Sequence, residues 1–331
     1  MACTGSGVQI PSAPQTNMNL KYIKEIFSQT KDLIGSQSGI AVISIIQVSF
    51  VVNQLGPAKY GAVVLLIAVP SLIFRASHAR NSDVNLLVLK DGKNFYFESI
   101  FFNFITGIGS FLLCLVVFTN PIIISSSLGD YFGIETLSNV LLIYLLTRII
   151  QTFSETSKSI LIFHNDLRRY SILEISSVIV RFIALVFLLL NDPSVENYLI
   201  AQSIYGITFG LFGLYLSNKY RDSSNFNIQH FKAYSKAIRS FYGKIRYDQI
   251  IGLIPQHFDV ILLAVIVDIQ TVGIYQFAKR LVEPINYLVV TFNPWLQNKL
   301  KSEDKDFNIV IWNLFHFWTK SYFIYWQRGI S

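Results

Sequence analysis

Five basic side chains within the long apolar runs of this 331-residue chain are candidates to meet a ligand: Arg75, Arg148, Arg181, Lys279 and Arg280. The acids in such places are Glu155, Glu174, Asp259 and Glu283, with Asp83 and Asp248 nearer the ends of their runs. A charge surrounded by hydrocarbon costs at least a few kcal/mol, so these side chains must face a protein interior or water. Counted by helical rise, Arg148 and Arg181 lie near the middle of their runs. Arg75 lies about two thirds of the way across, and Lys279 and Arg280 sit in the outer half. The balance is cationic, which suits an anionic ligand. Arginine offers a planar fork that matches phosphate oxygens and stays protonated. A second reading is also open, in which each arginine pairs with an acid one or two turns away, as Glu174 could with Arg181. Asp259 and Glu155 are the candidates for coupling to an ion.

Other chemistry has little to stand on. There is no GxSxG, no HExxH, no P-loop and no GxGxxG after a strand. The acidic cluster Glu303-Asp304-Lys305-Asp306 reads as a solvated loop. The cysteines, Cys3 and Cys114, stand in a polar leader and an apolar run, and no CxxC or Cys/His group suggests a metal. We therefore expect no enzyme, no cofactor and no metal. The net charge of +7 is spread between apolar runs, which speaks against nucleic acid and for cytoplasmic loops of a membrane protein.

The elements that must position these residues are long helices. Charged residues make up only 14% of the chain and apolar ones 52%, too little charge for a water-facing surface. Apolar runs at about 36–55, 61–84, 96–118, 138–162, 171–190, 198–217, 246–267, 272–296 and 308–327 are each long enough to span a bilayer. The run 61–84 is read as one helix despite Arg75, His78, Arg80 and Asp83. Residues 1–18 read as a disordered leader, followed by a short interfacial helix. The loops 56–60, 119–137, 191–197 and 268–271 hold one basic residue, Lys59, and the alternate loops carry the rest. The positive-inside rule then places the N-terminus in the cytoplasm. In 226–245, Ile228, Phe231, Ile238, Phe241 and Ile245 follow helical spacing between Lys232, Lys236, Arg239 and Lys244. This predicts a basic amphipathic helix on the inner leaflet.

A weak repeat runs across that connection. Leu55-Gly-Pro-Ala-Lys-Tyr-Gly61 leads into a run with Pro70, and Val267-Asp-Ile-Gln-Thr-Val-Gly273 into a run with Pro284. Two long helices joined by a tight turn ending in glycine, repeated in parallel, suggest a duplicated six-helix unit. Pro70, Pro255 and Pro284 could kink their helices. Gly206 and Gly210 form a GxxxG that reads as close helix packing. The expected organisation is a leader (1–18), a six-helix lobe (19–217), a cytoplasmic amphipathic linker (218–245) and a partial second lobe (246–331). The fold class is an all-α polytopic membrane protein of about eight or nine transmembrane helices.

The stretch from Asp259 through Val272-Gly-Ile-Tyr275-Gln-Phe-Ala278-Lys-Arg-Leu281 resembles the seventh-to-eighth helix region of Wzx-type polysaccharide flippases, members of the MATE-like exporter superfamily. Asn53-Gln-Leu-Gly-Pro…Tyr60-Gly61 resembles the matching first-to-second helix turn. The family has twelve or more helices, so the resemblance implies a C-terminally incomplete second lobe. It also implies flipping of undecaprenyl-pyrophosphate-linked sugar units, such as O-antigen or capsule repeats for lipopolysaccharide or polysaccharide assembly, across the bacterial inner membrane. The implied partners are a lipid-linked anionic oligosaccharide, the lipid bilayer and other polysaccharide-assembly membrane proteins. Three rivals stand beside it: a cation-coupled drug exporter of the same fold, a membrane polymerase or glycosyltransferase, and an inactive truncated remnant.

Overall fold

The computed structural model describes residues 20–78, 81–90, 95–119, 139–221, 227–239 and 259–290. The leader, Pro255, the acidic cluster at 303–306 and the run 308–327 lie outside the described residues. Every regular element among the described residues is a helix. In chain order these are α1 (Leu20–Ser77), α2 (Asn81–Lys90), α3 (Tyr96–Thr119), α4 (Asn139–Gln151), α5 (Phe153–Phe163), α6 (Leu167–Asn191) and α7 (Val195–Ser217). There follow α8 (228–239), α9 (Asp259–Ile266) and α10 (Ile269–Val290).

The first helix is two arms. Gly56 has φ 76° and ψ 162°, a conformation essentially reserved for glycine. Pro57 disfavours helix in the residue before it, and its fixed φ and missing N–H suit the first turn of a new helix. The arms run in opposite directions. Gly39 lies against Ile175 near the start of α6. Further along, Val48, Val51 and Leu55 share a core with Leu185 and Leu189 near its end. Tyr60 and Val63 belong to that same core, and the second arm then leads back to His78, which bonds to α3.

The run 61–84 is two helices rather than the expected one. The second arm of α1 stops at Ser77, and α2 begins at Asn81. At the stop, the buried His78 ring contacts the Phe74 carbonyl (3.0 Å), the Asn103 carbonyl (3.3 Å) and Thr106 Oγ1 (2.9 Å). These partners on α3 hold a polar residue that a continuous apolar helix could not have satisfied. The run 138–162 also breaks, at Thr152, whose hydroxyl donates to the Ile149 carbonyl at 2.7 Å, a back-bond that bends helices.

Polar side chains line the seams between helices and apolar ones line the outside. Ser99, Asn103, Thr156, Ser157 and Ser217 are buried. Thr156 joins Ser99 (2.8 Å) and Asn103 Nδ2 (2.9 Å), and Ser217 joins Ser157 (3.3 Å). Meanwhile Leu112, Leu113, Val116, Ile183, Phe187 and Leu190 are exposed. This distribution matches helices glued by small polar residues within lipid. Thr30–Ser77, Tyr96–Thr119, Leu167–Asn191 and Val195–Tyr220 are long and apolar enough to cross a membrane. The chain is an all-α polytopic membrane protein.

Two close approaches set helix positions. A methyl group on Gly210 would sit 2.1 Å from the Ile150 carbonyl oxygen, and one on Gly206 3.2 Å from that of Thr147. The GxxxG is thus the seat of α4 on α7. At the repeated turns, a Cβ on Gly61 would lie 2.1 Å from the Ile269 oxygen, and one on Gly273 2.0 Å from the Pro57 oxygen. Pro57 and Gly61 meet Ile269 and Gly273 reciprocally, each pair four residues apart, so the two copies of the turn pack on one another.

The amphipathic helix is present as α8, but its apolar face is covered differently from the expectation. Tyr234 and Ile238 are buried with Val88 of α2 and Phe95, and Phe231 meets Phe101 edge-on at 5.2 Å. Tyr234 also hydrogen-bonds Asn85. Protein therefore takes the described part of this face from Phe231 to Ile238, while Ile228, Lys232, Lys236 and Arg239 remain exposed, and Phe241, Lys244 and Ile245 lie outside the described residues.

Candidate functional site

Arg148 stands in the last turn of α4, just before the Thr152 break. Its guanidinium donates to Gln151 Oε1 at 2.6 Å and lies 5.7 Å from the centre of the Phe74 ring. The next residue after Phe74 is Arg75, which is accessible and has Arg148, Arg280, Glu155 and Glu283 as its charged neighbours. Arg75 of α1 thus lies within the electrostatic reach of Arg148 on α4 and Arg280 on α10.

A second group surrounds Tyr205 of α7. Arg181 of α6 lies over this ring at 4.9 Å, and its buried Nε has no hydrogen-bond partner. Glu174, Lys158 and Arg148 are the other charged neighbours of Tyr205. Arg148 is therefore within the electrostatic reach of both Arg75 and Tyr205.

The intrahelical pair Glu174–Arg181, open on sequence grounds, is not formed. Glu174 Oε1 is 2.9 Å from Lys158 Nζ of α5, and that ammonium also lies 4.6 Å from the Phe209 ring centre. Lys158 was not among the sequence candidates. Its signal was weak but present: it stands one turn after Glu155, inside the run 138–162, on a helix of serines that pack inward.

Lys279 and Asp259 form a separate cluster in the second pair of helices. Lys279 Nζ is 2.7 Å from Asp259 Oδ2, and the Tyr275 hydroxyl donates to the same oxygen at 2.6 Å. Asp259 is thus held by two donors from α10. Arg280 pairs with Glu283 of the same helix at 2.7 Å. Glu155 is half-buried on α5, within the field of Lys158 and Arg75. Among the described residues, no three His, Cys, Asp or Glu side chains gather as a metal site would require.

Comparison with known proteins adds two findings. A family profile described as "Polysaccharide biosynthesis protein" matches residues 51–298. The crystal structure of the eukaryotic MATE transporter AtDTX14 superposes with a TM-score of 0.62 at 12% identity, covering 88% of this chain and 69% of that one. At that identity the likeness is one of fold. No curated protein matches the sequence closely enough to count as a relative.

Proposed function

Because the chain belongs to the polysaccharide biosynthesis family, whose profile covers most of its length, we propose that it is a membrane transporter that flips a lipid-linked anionic oligosaccharide between leaflets. The observation that carries this reading is the charge of the first-lobe cluster. With Lys158 paired to Glu174, Arg75, Arg148 and Arg181 stand against the one remaining acid, Glu155, on helices whose opposite faces are apolar. Cations held in a low-dielectric cleft attract phosphate strongly, and arginine binds it in a bidentate geometry. A pyrophosphate-linked sugar would lodge there while its polyprenyl tail stays in lipid.

The two-lobed organisation suggests how the head group crosses. The reciprocal glycine contact between Pro57–Gly61 and Ile269–Gly273 brings two backbones together without intervening side chains. Such a contact can serve as the pivot about which one lobe rocks on the other. Transport of this kind requires no covalent step. The membrane would be the bacterial inner membrane, with the N-terminus on the cytoplasmic side.

The shared MATE fold keeps drug export as the competing reading, and the sign of the charged cluster separates the two. An exporter of organic cations needs uncompensated acid, whereas this cluster has an excess of cations. Competition binding to the purified protein in phosphatidylcholine nanodiscs tests the difference. Undecaprenyl pyrophosphate should bind and should not be displaced by ethidium. Saturable ethidium binding without pyrophosphate binding would favour the exporter.

A further inference from the structure

Resting on the anionic-ligand reading, we infer that Lys158 is a positioning residue: it occupies Glu174 and so keeps the Arg181 guanidinium available to the anionic head group. Glu174 and Arg181 both belong to α6 and are seven residues apart, which puts them on the same face with an axial separation of roughly 10.5 Å. Both are neighbours of the Tyr205 ring. A carboxylate and a guanidinium on one face of a helix, in a half-buried setting, are drawn to pair.

They do not pair because Lys158 reaches across from α5. Its ammonium is 2.9 Å from Glu174 Oε1 and is also held over the Phe209 ring. Two contacts fix this cation, so it is engaged rather than waiting for a ligand. Arg181 is left with a ring face and a buried Nε that no group among the described residues accepts from. An unsatisfied charged donor is costly to bury, and a phosphate oxygen would relieve that cost. The arrangement therefore assigns different tasks to two cations of like charge, Lys158 to neutralise the acid and Arg181 to meet the ligand.

The two roles predict an asymmetry that a merely structural ion pair does not. In nanodiscs of phosphatidylcholine, undecaprenyl pyrophosphate should bind Lys158→Met about tenfold or more weakly, because Glu174 then turns to Arg181. Glu174→Gln should bind as tightly as the parent. The double variant Lys158→Met/Glu174→Gln should recover parental binding, and Lys158→Arg should keep it. Phenylglyoxal labelling mapped by mass spectrometry gives a readout independent of ligand. Arg181 should be labelled in the parent, protected in Lys158→Met and labelled again in the double variant. Equal losses in both single variants would overturn the proposal, as would failure of Lys158→Met to accumulate with rescue by the double variant. A double variant as weak as Lys158→Met would also overturn it, since Lys158 would then contact the ligand itself. Arg181→Ala separates this proposal from its premise. If Arg181→Ala binds normally the anionic site is misplaced, whereas weak binding by Arg181→Ala beside normal binding by Lys158→Met defeats the positioning role alone.

Discussion

Two charged clusters in this protein share the same components and arrange them differently. Between α9 and α10, Lys279 meets Asp259 at 2.7 Å with Tyr275 on the same oxygen, and within α10 Arg280 meets Glu283 at 2.7 Å. Around Tyr205, one cation, Lys158, meets the acid Glu174, and a second, Arg181, rests on an aromatic face. A paired cation mostly holds helices together. A cation whose neighbouring acid is already engaged keeps its attraction for an incoming anion. The position of the partner acid, more than the presence of arginine, distinguishes a structural cluster from a candidate binding one.

The largest effect should come from removing the packing that places the Tyr205 cluster at all. Gly210→Val drives a side chain into the backbone of Ile150 and should cost about 3 kcal/mol, with loss of monodisperse protein on size-exclusion chromatography. Gly109→Val is the control, since a Cβ there meets nothing within 4 Å, and it should behave as the parent. If both tolerate valine, the α4–α7 seam does not determine the site.

The same exchange in the two clusters should then give different results. Lys279→Met strands Asp259 and should lower thermal stability by about 1 kcal/mol, the pair being partly accessible, while leaving pyrophosphate binding within about twofold. Lys279→Met/Asp259→Asn should regain that stability. Loss of binding in Lys279→Met would mean that the second cluster also serves the ligand. The smallest effect is expected at Arg280. Its i,i+3 pair with Glu283 is exposed, so Glu283→Gln should change stability by no more than about 0.5 kcal/mol in a thermal melt.

Much of the fold can be read from the sequence because lipid imposes one strong rule, an unbroken apolar run for each crossing. The Gly56-Pro57 reversal was visible as a glycine–proline turn, and Gly206 and Gly210 as a packing motif. What escaped depends on which helices become neighbours. Spacing along α6 offered Arg181 as the partner of Glu174, but the packing of α5 against α6 delivers Lys158 instead. The helix end at Ser77 was hidden because His78 finds its partners on α3. The face of α8 reads as lipid-bound from periodicity alone, yet Val88 and Phe95 cover its middle at Tyr234 and Ile238. Of the candidate residues, the sequence could pick out Arg75, Arg148 and Arg181 as cations within apolar runs but could not tell that Lys279 was already engaged by Asp259.

The central claim is that Arg75, Arg148 and Arg181 bind an anionic head group. The most direct measurement is the affinity of undecaprenyl pyrophosphate for the Arg148→Ala/Arg181→Ala variant, compared with the parent in neutral nanodiscs at matched salt. Two lost charge-assisted contacts should weaken binding by about a hundredfold while the thermal midpoint stays close to that of the parent. Affinity unchanged in a folded double variant would contradict the account.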